Sequence, residues 1–220
     1  MDYIERNYKI LEKRMIEQME TSLNYGTSLI DSQLEIGALN FVVKPIVKSF
    51  YKYWSDNDAK KGTLEQIKIT LDSAKVLVKN GDSSSKEQFE KVINKNFPIY
   101  LKNDQTDIQC RKNHQNHKKL IVVTKKCFIT QVEESILFLN VKEDVNNYNE
   151  LSRAVFKSKE KAYQALKRQL DYNEEGINIV EQDQSILKVP FAKNIILKVL
   201  RAGFELTKKN LIEDLDEIFN

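Results

Sequence analysis

The chain has 220 residues, 35 of them Lys or Arg and 32 Asp or Glu, for a formal net charge of +3. Six glycines and three prolines are too few for the turns of a β-sandwich or a doubly wound α/β fold, and 41% hydrophobic content excludes bulk disorder. A surplus this small neither demands nor forbids an anionic partner, so the information lies in where charge is clustered.

The amino terminus, MDYIERNYKILEKRM, is charged and amphipathic and lacks the basic and apolar regions of an export signal. Two cysteines in such a chain suggest reduced thiols and a cytoplasmic protein. The first predicted helix runs from about Tyr3 to Leu23, with Ile4, Tyr8, Leu11, Met15 and Met19 on one face and Gly26 placed to cap it.

The second spans about 32–54. Ser32 and Glu35 have capping-box spacing, and Leu34, Ile36, Leu39, Phe41, Val42, Val43, Ile46, Val47, Phe50 and Trp54 then cover nearly every side. A helix apolar all round is normally enclosed by others, so this one is predicted to be the central axis, kinked or broken at Pro45. Its most apolar stretch, IGALNFVV, is too short to cross a bilayer. The run SFYKYW places Phe50, Tyr51, Tyr53 and Trp54 where they would line a cavity for an apolar ligand, or simply pack.

A third helix starts at a Thr63/Gln66 box, with Leu64, Ile67, Leu71, Ala74 and Val78 inward and Gly81 at its end. A fourth, SSSKEQFEKVINKNFP, opens at a serine cap and stops at Pro98.

Residues 110–127, CRKNHQNHKKLIVVTKKC, hold both cysteines and both histidines. Zinc or another transition metal is one explanation, with Cys110, His114 and His117 as ligands. Cys127 fits poorly with them: the nine residues after His117 contain no turn former, leaving the two about 15 Å apart on a helix or about 33 Å apart on a strand. On one continuous helix from about Asp107, Cys110, His114, His117, Ile121, Thr124, Phe128, Val132, Ile136 and Leu139 form a single stripe. That favours a buried helix end over a metal site. No Glu-x-x-His pair exists to support a di-iron bundle. Arg111, Lys112, Lys118 and Lys119 lie beside this stripe as an anion-facing surface for phosphate, nucleic acid or anionic lipid headgroups.

Residues 147–189 give one long amphipathic helix or two, then a β-like stretch, GINIVEQDQSILKV. Leu151, Val155, Ser158, Ala162, Ala165 and Leu166 have the spacing of two packed helices, and the segment resembles a winged helix-turn-helix. The resemblance implies DNA contact, with Lys157, Lys159, Lys167 and Arg168 at phosphates and Tyr163 and Gln164 nearer base edges. Pro190 would start a last helix reaching Phe219.

The expected fold is therefore all-α, a bundle of seven or eight helices with at most one short β-hairpin at about 177–189. We read it as one domain, with a soft boundary near 142–147. No nucleotide-binding glycine loop, nucleophile elbow or His-Glu-x-x-His motif occurs. The functional expectation is a non-enzymatic interaction or ligand-binding protein, with a protein partner or self-association. DNA binding and metal binding are the alternatives.

Overall fold

The structure, a computed structural model, describes residues 2–33, 40–81, 85–97, 115–184 and 193–220. All regular structure among them is helical: α1 (Tyr3–Gln33), α2 (Asn40–Trp54), a π-turn (Ser55–Ala59), α3 (Lys60–Lys79), α4 (Lys86–Asn96), α5 (Gln115–Leu139), α6 (Tyr148–Phe156), α7 (Lys159–Gln182) and α8 (Lys193–Phe219). The protein is an all-α helical bundle.

The buried axis is α5. It packs between α3 and α7 and also meets α1 and α6. Phe128, Val132, Ile136 and Leu139 are buried along one row of α5, and Val123, Thr130, Glu134 and Phe138 along a row on nearly the opposite side. Buried rows on two opposite sides suit a helix with neighbours on several sides. Asn7 of α1, fully buried, donates from Nδ2 to the carbonyls of Phe138 (3.1 Å) and Val141 (2.7 Å), closing the carboxyl end of α5.

The expectation that the second helix is central is corrected. Ser32 belongs to α1, and among the described residues α2 packs chiefly on α1 and on the π-turn that follows it. From Asn40 to Lys79 the chain is one helical run with a π-bulge at Ser55–Ala59, so α2 is an extension of α3 beyond the part that α5 covers. Thr63 consequently lies inside α3 and caps nothing. Gly26 lies inside α1. Its bare backbone receives the Tyr51 ring, where a Cβ would collide with the phenol oxygen.

α4 begins at the expected cap, with Ser85 accepting from the Gln88 N–H at 3.4 Å. The segment after 147 is two helices. Lys157 takes a left-handed conformation (φ 59°) and Ser158 caps α7. Of the hairpin considered at 177–189, residues 177–182 are the last turns of α7, while 185–189 lie outside the described residues. Core residues on both sides of 142–147, from Ile4 to Leu215, form one hydrophobic cluster.

Candidate functional site

α1 and α7 both pack on α8 while barely touching each other. The gap between them is a cleft of about 840 Å³. Each helix gives it one face. Arg14, Gln18, Thr21 and Ser22 come from α1 at steps of three and four, and Leu166, Gln169, Leu170 and Asn173 from α7 in the same rhythm. α8 supplies Thr207, Asn210 and Leu211, then Glu213, Asp214, Asp216 and Glu217, and Asn220 follows its end. The lining is thus rich in amides and hydroxyls, with a carboxylate row along one wall.

Three of those carboxylates already have partners. Arg14 pairs with Asp214, Lys159 with Asp216, and Lys209 reaches Glu213 at 3.6 Å. Asp214 is held above the usual carboxylate range by burial, partly offset by Arg14 and reinforced by Glu217. The Arg14 guanidinium also lies 5.2 Å from the centre of the Tyr148 ring, a cation–π contact that fixes it in the cleft floor.

Behind the α7 wall is a polar seam that crosses the core. Gln66 of α3 donates to Gln131 of α5 (3.4 Å), and Gln131 approaches the Cys127 sulfur (3.7 Å). Cys127 in turn donates to Asn173 Oδ1 (3.5 Å). Gln169 donates to Glu134 Oε2, while Glu134 Oε1 finds no partner among the described residues. Glu134 is only 4% exposed, and burial pushes its carboxyl up to about 8, against weaker pulls from Gln169 and Arg168. It is therefore mainly protonated at neutral pH. Burial, with help from Glu134, pushes the Cys127 thiol up to about 11, so it stays a thiol rather than a nucleophile. Gln169 and Asn173 are shared by the cleft and the seam, so a cleft ligand that shifts either one disturbs buried polar groups.

The predicted site residues are scattered by comparison. Cys110, Arg111, Lys112 and His114 lie outside the described residues. His117 sits on the first turns of α5, and the helix runs without reversal through Cys127, about 15 Å further along by its rise. Among the described residues no three His, Cys, Asp or Glu gather as metal ligands. Lys118 and Lys119 are exposed at the start of α5.

Lys157 is exposed at the α6–α7 turn, Lys159 is paired with Asp216, and Lys167 is paired with Asp171 at 2.6 Å. Arg168 is exposed. Tyr51 packs into α1, whereas Tyr53 (66% exposed) and Trp54 (42%) face outward. The side chain of Phe50 lies outside the described set.

Sequence reasoning found neither the cleft nor Glu134. One signal was present: Glu134 stands four residues after Thr130 and four before Phe138, an acid within the second inward row of α5. No family model, no curated protein and no solved structure matches the chain.

Proposed function

We propose that this protein is a helical ligand-binding module whose α1–α7–α8 cleft takes a small organic cation with several hydrogen-bonding groups, of the polyamine type. The observation that carries this reading is the asymmetry of the cleft. Glu213, Asp214, Asp216 and Glu217 line one side, with Arg14 held by Asp214, and amides, hydroxyls and three leucines line the others. Its volume falls in the range of small-molecule sites. Neutral amides orient a polar ligand without competing for its charge, while the α8 carboxylates attract the charge itself.

Titration calorimetry with spermidine at low salt tests the proposal. Binding is expected, and Glu213→Gln/Glu217→Gln should weaken it about tenfold, the effect of losing roughly 1.4 kcal/mol. Absence of heat with the unaltered protein, confirmed by no adduct in native mass spectrometry, would reject it.

A second reading, contact with duplex DNA, draws on the tight Lys157–Ser158 turn and the exposed Lys161, Gln164, Lys167 and Arg168 of α7. Salt-dependent retention on duplex DNA, lost in Lys167→Glu/Arg168→Glu, is its expected signature. No retention at low salt would remove it.

A further inference from the structure

Among the described residues burial leaves three side-chain polar atoms without a hydrogen-bond partner: Thr70 Oγ1 in α3, Arg14 Nε and Glu134 Oε1. The last two belong to the cleft and its wall. Arg14 lines the cleft, and Glu134 lies behind the α7 wall, held through Oε2 by the cleft residue Gln169. Tyr148 of α6 is within electrostatic reach of both and of Asp214. Gln169 turns its Nε2 towards Glu134, which leaves Oε1 as the other end of the amide. That oxygen has no partner among the described residues and is not one of the buried unpaired atoms, so it is open to the cleft that Gln169 lines.

An amide held in this way is a relay. A ligand ammonium donating to Oε1 polarises it, and the Nε2–H then binds a carboxylate more strongly than a carboxylic acid. Ammonium and Glu134 stand one amide and two hydrogen bonds apart, with protein rather than water between them, where charge is screened least. Around Glu134, α7 presents Gln169 and the exposed Arg168, α6 presents Tyr148, and α5 itself Glu133 and Cys127. α1 contributes Arg14, already paired with Asp214 of α8, and α3 approaches this stretch of α5 through the neutral Gln66. Burial outweighs the pulls of Gln169 and Arg168 and holds the carboxyl up to about 8. The ionised form therefore lacks a counter-charge, which a cation in the cleft would supply.

We propose that the cleft takes up its cation in exchange for the Glu134 proton, with Gln169 coupling the ligand to the buried carboxyl. Such an exchange rests on the cation-binding reading of the cleft and gives that site its regulation. The O–H bond of the acid breaks, the proton passes to solvent, and the ligand's charge offsets the carboxylate that remains. A cation favours the ionised carboxyl, so affinity rises with pH through the range in which Glu134 titrates. By the same linkage, acidification returns the proton and weakens the hold on the ligand.

Titration calorimetry with spermidine tests this on the full chain and on Glu134→Gln, from pH 6 to pH 9, in two buffers of unlike ionisation heat. Comparing the two proteins cancels every titration except that of Glu134, the ligand's own amines included. A thermal melt at pH 6 verifies the fold of the variant. Both should bind alike at pH 6, where the protonated glutamate resembles glutamine. At pH 9 the unaltered chain should bind about tenfold more tightly than the variant, and near pH 7.5 it should release about half a proton more per ligand. Carbon NMR of the Glu134 carboxyl, which needs no variant, should show it titrating at lower pH with spermidine present. Equal affinities throughout, with equal proton release, would overturn the exchange and leave the cleft reading standing. A variant that gains on the unaltered chain as pH rises would overturn it by reversing the sign. Failure of both proteins to bind spermidine at every pH would reject the cleft reading, and the exchange with it.

Discussion

Helix α2 carries Phe41, Val42, Val43, Ile46, Val47, Phe50 and Trp54 within 15 residues, and its polar residues are mostly lysines. Helix α5 has Thr124, Thr130, Gln131, Glu133, Glu134 and Ser135 along its length, yet it is the one that the bundle encloses. The polar residues of α5 can be buried because most of them bring their own partners. Thr130 donates to the Lys126 carbonyl (3.1 Å) and Ser135 to that of Gln131 (2.7 Å), so neither leaves an unmet group in the core. Among the described residues α2 is short of neighbours rather than of apolar residues. Centrality depends on which other faces the chain can bring to a helix, and a single helix's own pattern does not record that.

The sharpest way to break this contrast is to truncate one apolar side chain in each helix. Phe128 is 2% exposed and its ring lies 5.9 Å from that of Phe97, so Phe128→Ala should cost about 3–5 kcal/mol. Ile46→Ala should stay within about 0.5 kcal/mol, since its side chain is already in water. Urea denaturation of the two variants measures the difference. Comparable losses would mean that α2 is covered in solution.

Glu134 gives the next largest effect, and its sign follows from proton binding. An ordinary glutamate releases its proton near 4.5, whereas this one holds it to about 8 in the folded chain. Between those values the folded state binds more protons than the unfolded state, so stability falls as pH rises through that window. Below 4.5 both states are protonated and the penalty is absent; above 8 it is complete, at about 5 kcal/mol. Glu134→Gln keeps a hydrogen-bonding group facing Gln169 and removes the charge. Its stability should match the unaltered protein near pH 4.5 and exceed it progressively towards pH 9. Parallel denaturation curves across that range would show that Glu134 is solvated instead.

The sequence revealed whatever depends on local periodicity. The inward residues Ile67, Leu71 and Ala74 of α3, the Ser85 cap and the row from Phe128 to Leu139 all follow from spacing or capping chemistry. What it concealed depends on relations between distant segments. Gly26 looked like a cap and is a notch for Tyr51, 25 residues onward. The Cys/His segment drew attention by residue type, yet its described part is ordinary α5 helix. The cleft is made of unremarkable polar residues from three helices, and only the way α1 and α7 straddle α8 gives them a common space.

Lys157 marks the local end of the same scale, where neighbours decide least and backbone conformation most. The sequence left 146–172 as one helix or two because no glycine or proline stands at the break. The structure divides it at a lysine with φ 59°, a conformation that places Cβ against its own backbone. The Lys157 N–H still donates to the Arg153 carbonyl at 3.0 Å, so the turn is hydrogen-bonded even though the residue is strained. Lys157→Gly should relieve that strain and stabilise the protein by about 0.5–1 kcal/mol, net of the extra freedom that glycine gives the unfolded chain. If α6 and α7 were instead one continuous helix in solution, the same change would insert glycine into a helix interior and cost about 1 kcal/mol. The two outcomes differ in sign, so a thermal melt of this single variant separates them.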